Sequence, residues 1–126
     1  IQLNASAALA RTEMIVQYTN QDDSNWLRYG MNYPVQALYA DRQQGVRYGI
    51  ISDDAATPAL FPASDFTLVS GTIPASWCVF VHSNGDFEMS PAAWLEPGFW
   101  SRYFDGDTEA QRVFALHTQP TEELTA

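Results

Sequence analysis

A single cysteine, Cys78, and a complete lack of lysine set the first limits on this 126-residue chain. One thiol closes no internal disulfide and excludes every metal cluster that needs two thiolates. A reducing, cytoplasmic setting is the simplest expectation. Long apolar runs are missing too: none approaches the ~20 residues that cross a bilayer, the longest being cut by Gly, Pro or charge. The small apolar stretch Ile1 to Ala10 lacks the basic start of a secretory signal, so residues 1–13 read as an arm or extension before the first strand. Positive charge is scarce. Six arginines face 15 Asp and Glu, for a formal charge of −9 and a pI near 4.3. That field repels nucleic acid and anionic lipid and draws basic partners at long range, although it also serves plain solubility.

Common mechanistic motifs are absent as well. There is no phosphate-binding glycine loop, no dinucleotide fingerprint, no Gly-x-Ser-x-Gly elbow and no His-Glu-x-x-His pair. With two His and one Cys, a transition-metal site would lean on carboxylates. No catalytic residue, metal or cofactor is expected. What the chain does hold is apolar material, with 46% hydrophobic residues and 13% aromatics. At this length that suffices for one independently folding domain.

The pattern along the chain is mostly β. Glu13 to Thr19 reads as a first strand, Asn20 to Asn25 as an exposed loop, and Trp26 to Tyr33 as an irregular turn, with Pro34 opening the next strand. Asp41 to Gly45 closes a hairpin into Val46 to Ser52. Short strands follow around Ala59 to Phe61 and from Phe66 to Val69, separated by a tight helical turn at Pro62 to Asp65. Five short strands with close turns predict a small, strongly bent barrel over residues 14–70. Gly71 to Pro74 marks a boundary, and residues 71–117 read as a hairpin and helices. The hairpin pairs Ser76 to His82 with Phe87 to Met89 around Asn84-Gly85, whose positive φ preferences suit a tight turn. Ser90-Pro91 predicts a helix start. Thr108 and Gln111 predict a capping box for a last helix to His117, and residues 118–126 read as a tail.

Several constellations invite chemistry and fail on spacing. Asp105, Asp107 and Glu109 resemble the start of a calcium loop, but Leu116 stands where the closing Glu should be, so a helix N-terminus explains them better. Cys78 and His82 lie four residues apart on one strand, roughly 13 Å, too far for proton transfer. Cys78 is expected to be a buried small hydrophobe, and His117 to sit at a helix C-terminus. The paired acids Asp22-Asp23 and Asp53-Asp54 fall in predicted loops, where they serve acid–base work only if they converge in a cleft. Trp94, Phe99, Trp100, Tyr103, Phe104 and Phe114 crowd the C-terminal third. Most are expected in the core and a few in an exposed anchor patch.

Two stretches carry a resemblance. Leu27 to Val69, with Gly30, Tyr33, Val35, the run Tyr48-Gly49-Ile50-Ile51-Ser52-Asp53 and the close Leu60-Phe61-Pro62-Ala63-Ser64-Asp65-Phe66, resembles the small SH3-like barrels of bacterial proteins. Ile73 to Trp77, Pro91 to Trp94, Gly98-Phe99-Trp100 and Tyr103-Phe104-Asp105-Gly106-Asp107 are similar to a tail of small bacterial proteins of toxin-immunity or antitoxin type. The resemblance implies a fold and no catalytic residue.

The expectation is thus an α+β, β-rich domain: an SH3-like small barrel of about five strands plus a C-terminal hairpin and two or three short helices. Its expected function is acidic protein binding, as an immunity or antitoxin-like inhibitor of a basic partner. Asp22, Asp23, Asp53 and Asp54 are the candidate contacts and Trp26 the candidate anchor. The alternative is a small-molecule or peptide-binding module with an aromatic groove between barrel and helices.

Overall fold

The computed structural model describes residues 13–21, 26–53 and 55–119. Their strands are β1 (Met14–Tyr18), β2 (Asn32–Pro34), β3 (Ala37–Asp41), β4 (Gly45–Ile51), β5 (Pro58–Pro62), β6 (Phe66–Gly71), β7 (Trp77–Val81) and β8 (Phe87–Pro91). Two helices follow, α1 (Phe99–Phe104) and α2 (Thr108–His117), and 3-10 turns occupy Ala63–Asp65 and Ala92–Leu95. The strands form two antiparallel sheets, ordered β2-β1-β6 and β5-β4-β3-β8-β7. The β-rich α+β architecture is therefore as expected.

The first five or six strands do not close into a barrel. Among the described residues no ladder joins the two sheets. A closed ladder would have to run from β1 and β2 into β3, but β2 is three residues long and ends at Pro34, which has no N–H to donate. The other edge of β3 is taken by β8, with Leu38 opposite Met89 and Tyr39 opposite Glu88. Pro34 thus ends a strand rather than opening one. The boundary at Gly71 to Pro74 is a change of sheet: β6 completes the three-stranded sheet, whereas β7 and β8 extend the sheet begun by β3 to β5.

The core lies between the sheets. Met14, Val16 and Tyr18 recur every second residue on β1 and pack with Leu27, Tyr33, Val35, Ile50 and Trp77. Leu38, Tyr48, Phe61 and Met89 contribute the inner face of the larger sheet. A second apolar cluster, Trp94, Phe99, Ala110 and Phe114, gathers the helices against Ile51. Phe114 stacks on Trp94 at 5.1 Å between ring centroids. The side chain of Gln36 ties the end of α2 back to the start of β3 through Gln119, accepting its N–H at 2.9 Å and donating to its carbonyl at 3.2 Å.

Local details differ from the sequence reading by small shifts. Ser90 does not cap a helix: it stays in β8, buried, and the short turn that follows has Pro91 at its start with no side-chain cap. The last helix is capped one residue earlier than expected, by Asp107, whose carboxylate accepts the Ala110 N–H at 2.9 Å. Glu109 lies in the same first turn, as the helix-terminus explanation requires. In the Asn84-Gly85 hairpin only Gly85 has positive φ, at 97°. His82 and Asp86 close a three-residue loop there, with Gly85 in the left-handed position.

Candidate functional site

The register of the five-stranded sheet lines up one row of side chains on its outer face. Arg47 stands opposite Tyr39, and Tyr39 opposite Glu88. Pro62 and Phe80 extend the row at its two ends. Two residues further along, Leu60, Gly49 and Ala37 form the next row. Because side chains alternate across a pleated strand, both rows face away from the core residues Phe61, Tyr48, Leu38 and Met89.

Gly49 and Ala37 make this second row shallow. Gly49 has no side chain and Ala37 opposite it only a methyl, which leaves a depression above the two strands; a Cβ at Gly49 would touch the Ala37 Cβ at 3.4 Å. Helix α1 supplies its wall. Trp100 and Phe104 are four residues apart, on one side of the helix, with ring centroids 5.9 Å apart. Trp100 is held from behind by Trp94 at 5.5 Å and Phe114 at 5.9 Å, whereas Phe104 is 65% exposed. Together with Tyr39, Pro58 and Leu60 these residues enclose an apolar cleft of about 180 Å³.

Tyr39 also lines an adjoining polar trough of about 450 Å³ near the two hairpin tips. Asp41 accepts the backbone N–H groups of Gln43 and Gln44 at 2.9 and 2.7 Å and pairs with Arg47 at 3.1 Å. The Gln44 N–H above all, with that of Gln43 and the Arg47 guanidinium, holds its carboxyl below the usual range. His82 Nε2 meets Glu88 Oε2 at 2.9 Å, and Asn84 Nδ2 donates to Asp86 Oδ2 at 2.9 Å. Arg42 binds the hairpin tips together through the Asn84 carbonyl at 2.6 Å. Burial, then the nearby Glu88, pushes the Tyr39 hydroxyl above its ordinary pKa, opposed by Arg47. Asp41, Asp86 and Glu88 line the trough together with Arg47 and His82, and Arg42 stands beside Asp41 and Asp86 at its rim.

Of the binding residues singled out from sequence, the two described ones, Trp26 and Asp53, line neither the cleft nor the trough. Asp22, Asp23 and Asp54 lie outside the described residues. Trp26 and Asp53 are brought together, the Asp53 N–H donating to the Trp26 carbonyl at 3.1 Å. Trp26 is 58% exposed. The Asp53 carboxylate is engaged within the chain, accepting from Arg28 Nε at 3.2 Å and from the Tyr33 hydroxyl at 3.3 Å. Cys78 is exposed, not buried as expected, because β7 is the outermost strand and neither the helices nor the smaller sheet covers it there. Among the described residues no three His, Cys, Asp or Glu side chains are grouped to hold a metal ion. Nor is any described helix long and apolar enough to cross a membrane.

Sequence reasoning counted Trp100 and Phe104 within an aromatic crowd but named no groove residues on the strands. The only local signal was the small pair Ala37 and Gly49 inside otherwise bulky strands, where a missing side chain leaves room above the sheet. Comparison of the chain with protein-family models, with curated proteins and with solved structures gives no match.

Proposed function

We propose that the protein is a binding module whose outer sheet face takes a short basic–apolar peptide segment. The observation that carries this reading is the apolar cleft between the sheet and α1, opening beside an acidic trough and sharing Tyr39 with it. A cleft of about 180 Å³ has room for one ring or branched side chain, since an apolar cavity of ~150 Å³ accepts benzene. The trough offers carboxylates to flanking cations, and a chain of charge −9 favours their approach.

This reading takes the aromatic groove of the peptide-binding alternative and keeps the basic partner of the immunity or antitoxin-like one. A bacterial cytoplasmic inhibitor that grips a basic loop of another protein would use such a face. The short, bent strands 14–71 are, in this reading, an opened version of an SH3-like barrel, a fold that uses aromatics on extended peptides. Asp53 serves as an internal anchor for Arg28 and Tyr33, and Trp26 as an exposed neighbour of that anchor.

The test is nuclear magnetic resonance titration with two capped tripeptides, Arg-Trp-Arg and Glu-Trp-Glu. The basic peptide should shift the resonances of Ala37, Gly49, Leu60 and Phe104, more weakly as salt is raised, and Phe104→Ala should abolish those shifts with the fold intact. Equal responses to both peptides, or shifts confined to other surfaces, would refute the proposal.

A further inference from the structure

Sheet edges present unpaired backbone groups, and among the described residues three of the four edge strands are blunted in ways that discourage pairing. β5 begins and ends in proline, at Pro58 and Pro62. β2 has three residues and ends at Pro34. β6 carries a bulge against β1, the register shifting between Ile15 and Val16. β7 has none of these devices. Trp77–Val81 contains no proline and no charge, and its register with β8 is unbroken. Val79, Phe80 and Val81 are 58%, 50% and 61% exposed.

We propose that β7 pairs antiparallel with β7 of a second copy of this chain about a two-fold axis at Phe80, joining two five-stranded sheets into one. Hydrogen bonding fixes the register. The His82 N–H donates inward to the Asp86 carbonyl at 2.7 Å. By the two-residue repeat Phe80 and Cys78 also face β8, and Val79 and Val81 turn their N–H and C=O groups to the open edge. An axis at Phe80 sets Val79 opposite the second copy's Val81, and Val81 opposite its Val79, so every outward group of these residues finds a partner. An axis at Val79 would instead oppose Val81 to Trp77, whose N–H already donates to the Pro74 carbonyl at 3.0 Å. The choice of a second copy rests on this self-complementarity, and the repulsion between like-charged chains is least along β7. One patch serves both chains, as an isologous contact demands. Two chains of −9 meet along a strand that carries no carboxylate.

The pairing predicts that Phe80 faces its own copy across a non-hydrogen-bonded pair, with Cα atoms about 4.5 Å apart, close enough for a disulfide if both were cysteine. Light scattering across a dilution series should give twice 14.1 kDa, falling to one chain on dilution. Phe80→Glu sets like charges opposite each other and should give one chain at all concentrations with unchanged circular dichroism. In a Cys78→Ser background, Phe80→Cys should form a disulfide-linked dimer under mild oxidation, a readout that holds even where Phe80→Glu fails to fold. A wild-type mass of one chain throughout, or a dimer that Phe80→Cys does not cross-link, would overturn the proposal. Chain mass and peptide titration are separate readouts, so either proposal can fail alone.

Discussion

Replacing Tyr33 by Phe removes one oxygen and tests how Asp53 is used. Tyr33 is 1% exposed. Its hydroxyl accepts the Arg28 N–H at 2.9 Å and donates to the Asp53 carboxylate at 3.3 Å. Tyr33→Phe keeps the ring in place and deletes both bonds. The Arg28 N–H is left without its acceptor in a half-buried site, at a cost of about 1–3 kcal/mol, whereas Asp53 keeps Arg28 and reaches water, so its loss is ~0.5 kcal/mol. The exposed Arg28–Asp53 pair adds little by itself. The expected destabilisation is about 2 kcal/mol, or a fall in Tm of roughly 8 °C for a domain of this size. Urea unfolding should show it as a lower midpoint at constant slope. Asp53→Asn in the same background should show coupling above ~0.5 kcal/mol in a double-mutant cycle. A loss below ~0.5 kcal/mol, or additive effects, would refute the view that Asp53 is fixed from inside the core.

Stability should also fall in alkali. Burial, the largest cause in each case, raises the hydroxyl pKa of Tyr33, Tyr39 and Tyr48 above 10.0. The folded state therefore holds these protons more tightly than the unfolded chain, and the associated stability, complete below pH 10.0, is lost as pH rises through the higher folded values. Urea midpoints measured upward from neutrality check the sign, and Tyr33→Phe should flatten the fall. Phe114→Ala, which removes the ring stacked on Trp94 and tilted against Tyr103, should cost about 3–5 kcal/mol, whereas Phe104→Ala at a 65% exposed position should cost under ~1 kcal/mol; calorimetry distinguishes them. Asp107→Ala removes the carboxylate that accepts the Ala110 N–H and should cost ~1 kcal/mol, seen as a lower Tm and faster amide exchange in the first turn of α2.

Local chemistry was the legible part of this fold. Hairpin turns at Asp41 to Gly45 and around Gly85 announce themselves because the required backbone angles restrict the residues that can stand there. The helix from Thr108 to His117 is legible instead from the helical spacing of its apolar residues, although Asp107 and not Thr108 caps it. Strand partnership was not legible. Nothing near Leu38 says that it will pair with Met89 rather than close a barrel with the first strand, because a ladder uses backbone groups common to all residues. That choice also decided the fate of Cys78. Its position on a β-branched, aromatic strand reads as core, and only the place of β7 at the end of the sheet order leaves the thiol exposed.

The candidate site failed to show in sequence for the same reason. Ala37, Gly49, Leu60, Trp100 and Phe104 are scattered over the chain and meet through register and helix packing. Acid counting pointed instead to paired loop residues. Pairing in sequence is weak evidence of shared chemistry: the Asp53 carboxylate is taken up by Arg28 and Tyr33 of its own chain. Asp41 and Glu88 are single acids on neighbouring strands, and each has a fixed partner, Arg47 and His82. Under the proposed function, a ligand cation should depend more on Glu88, which lines the trough beside Tyr39, than on Asp53, which lines neither the trough nor the cleft. Glu88→Gln should weaken the basic tripeptide and reduce its salt dependence, and Asp53→Asn should leave both unchanged. The reverse result would move the acidic recognition surface from the strands back to the loops.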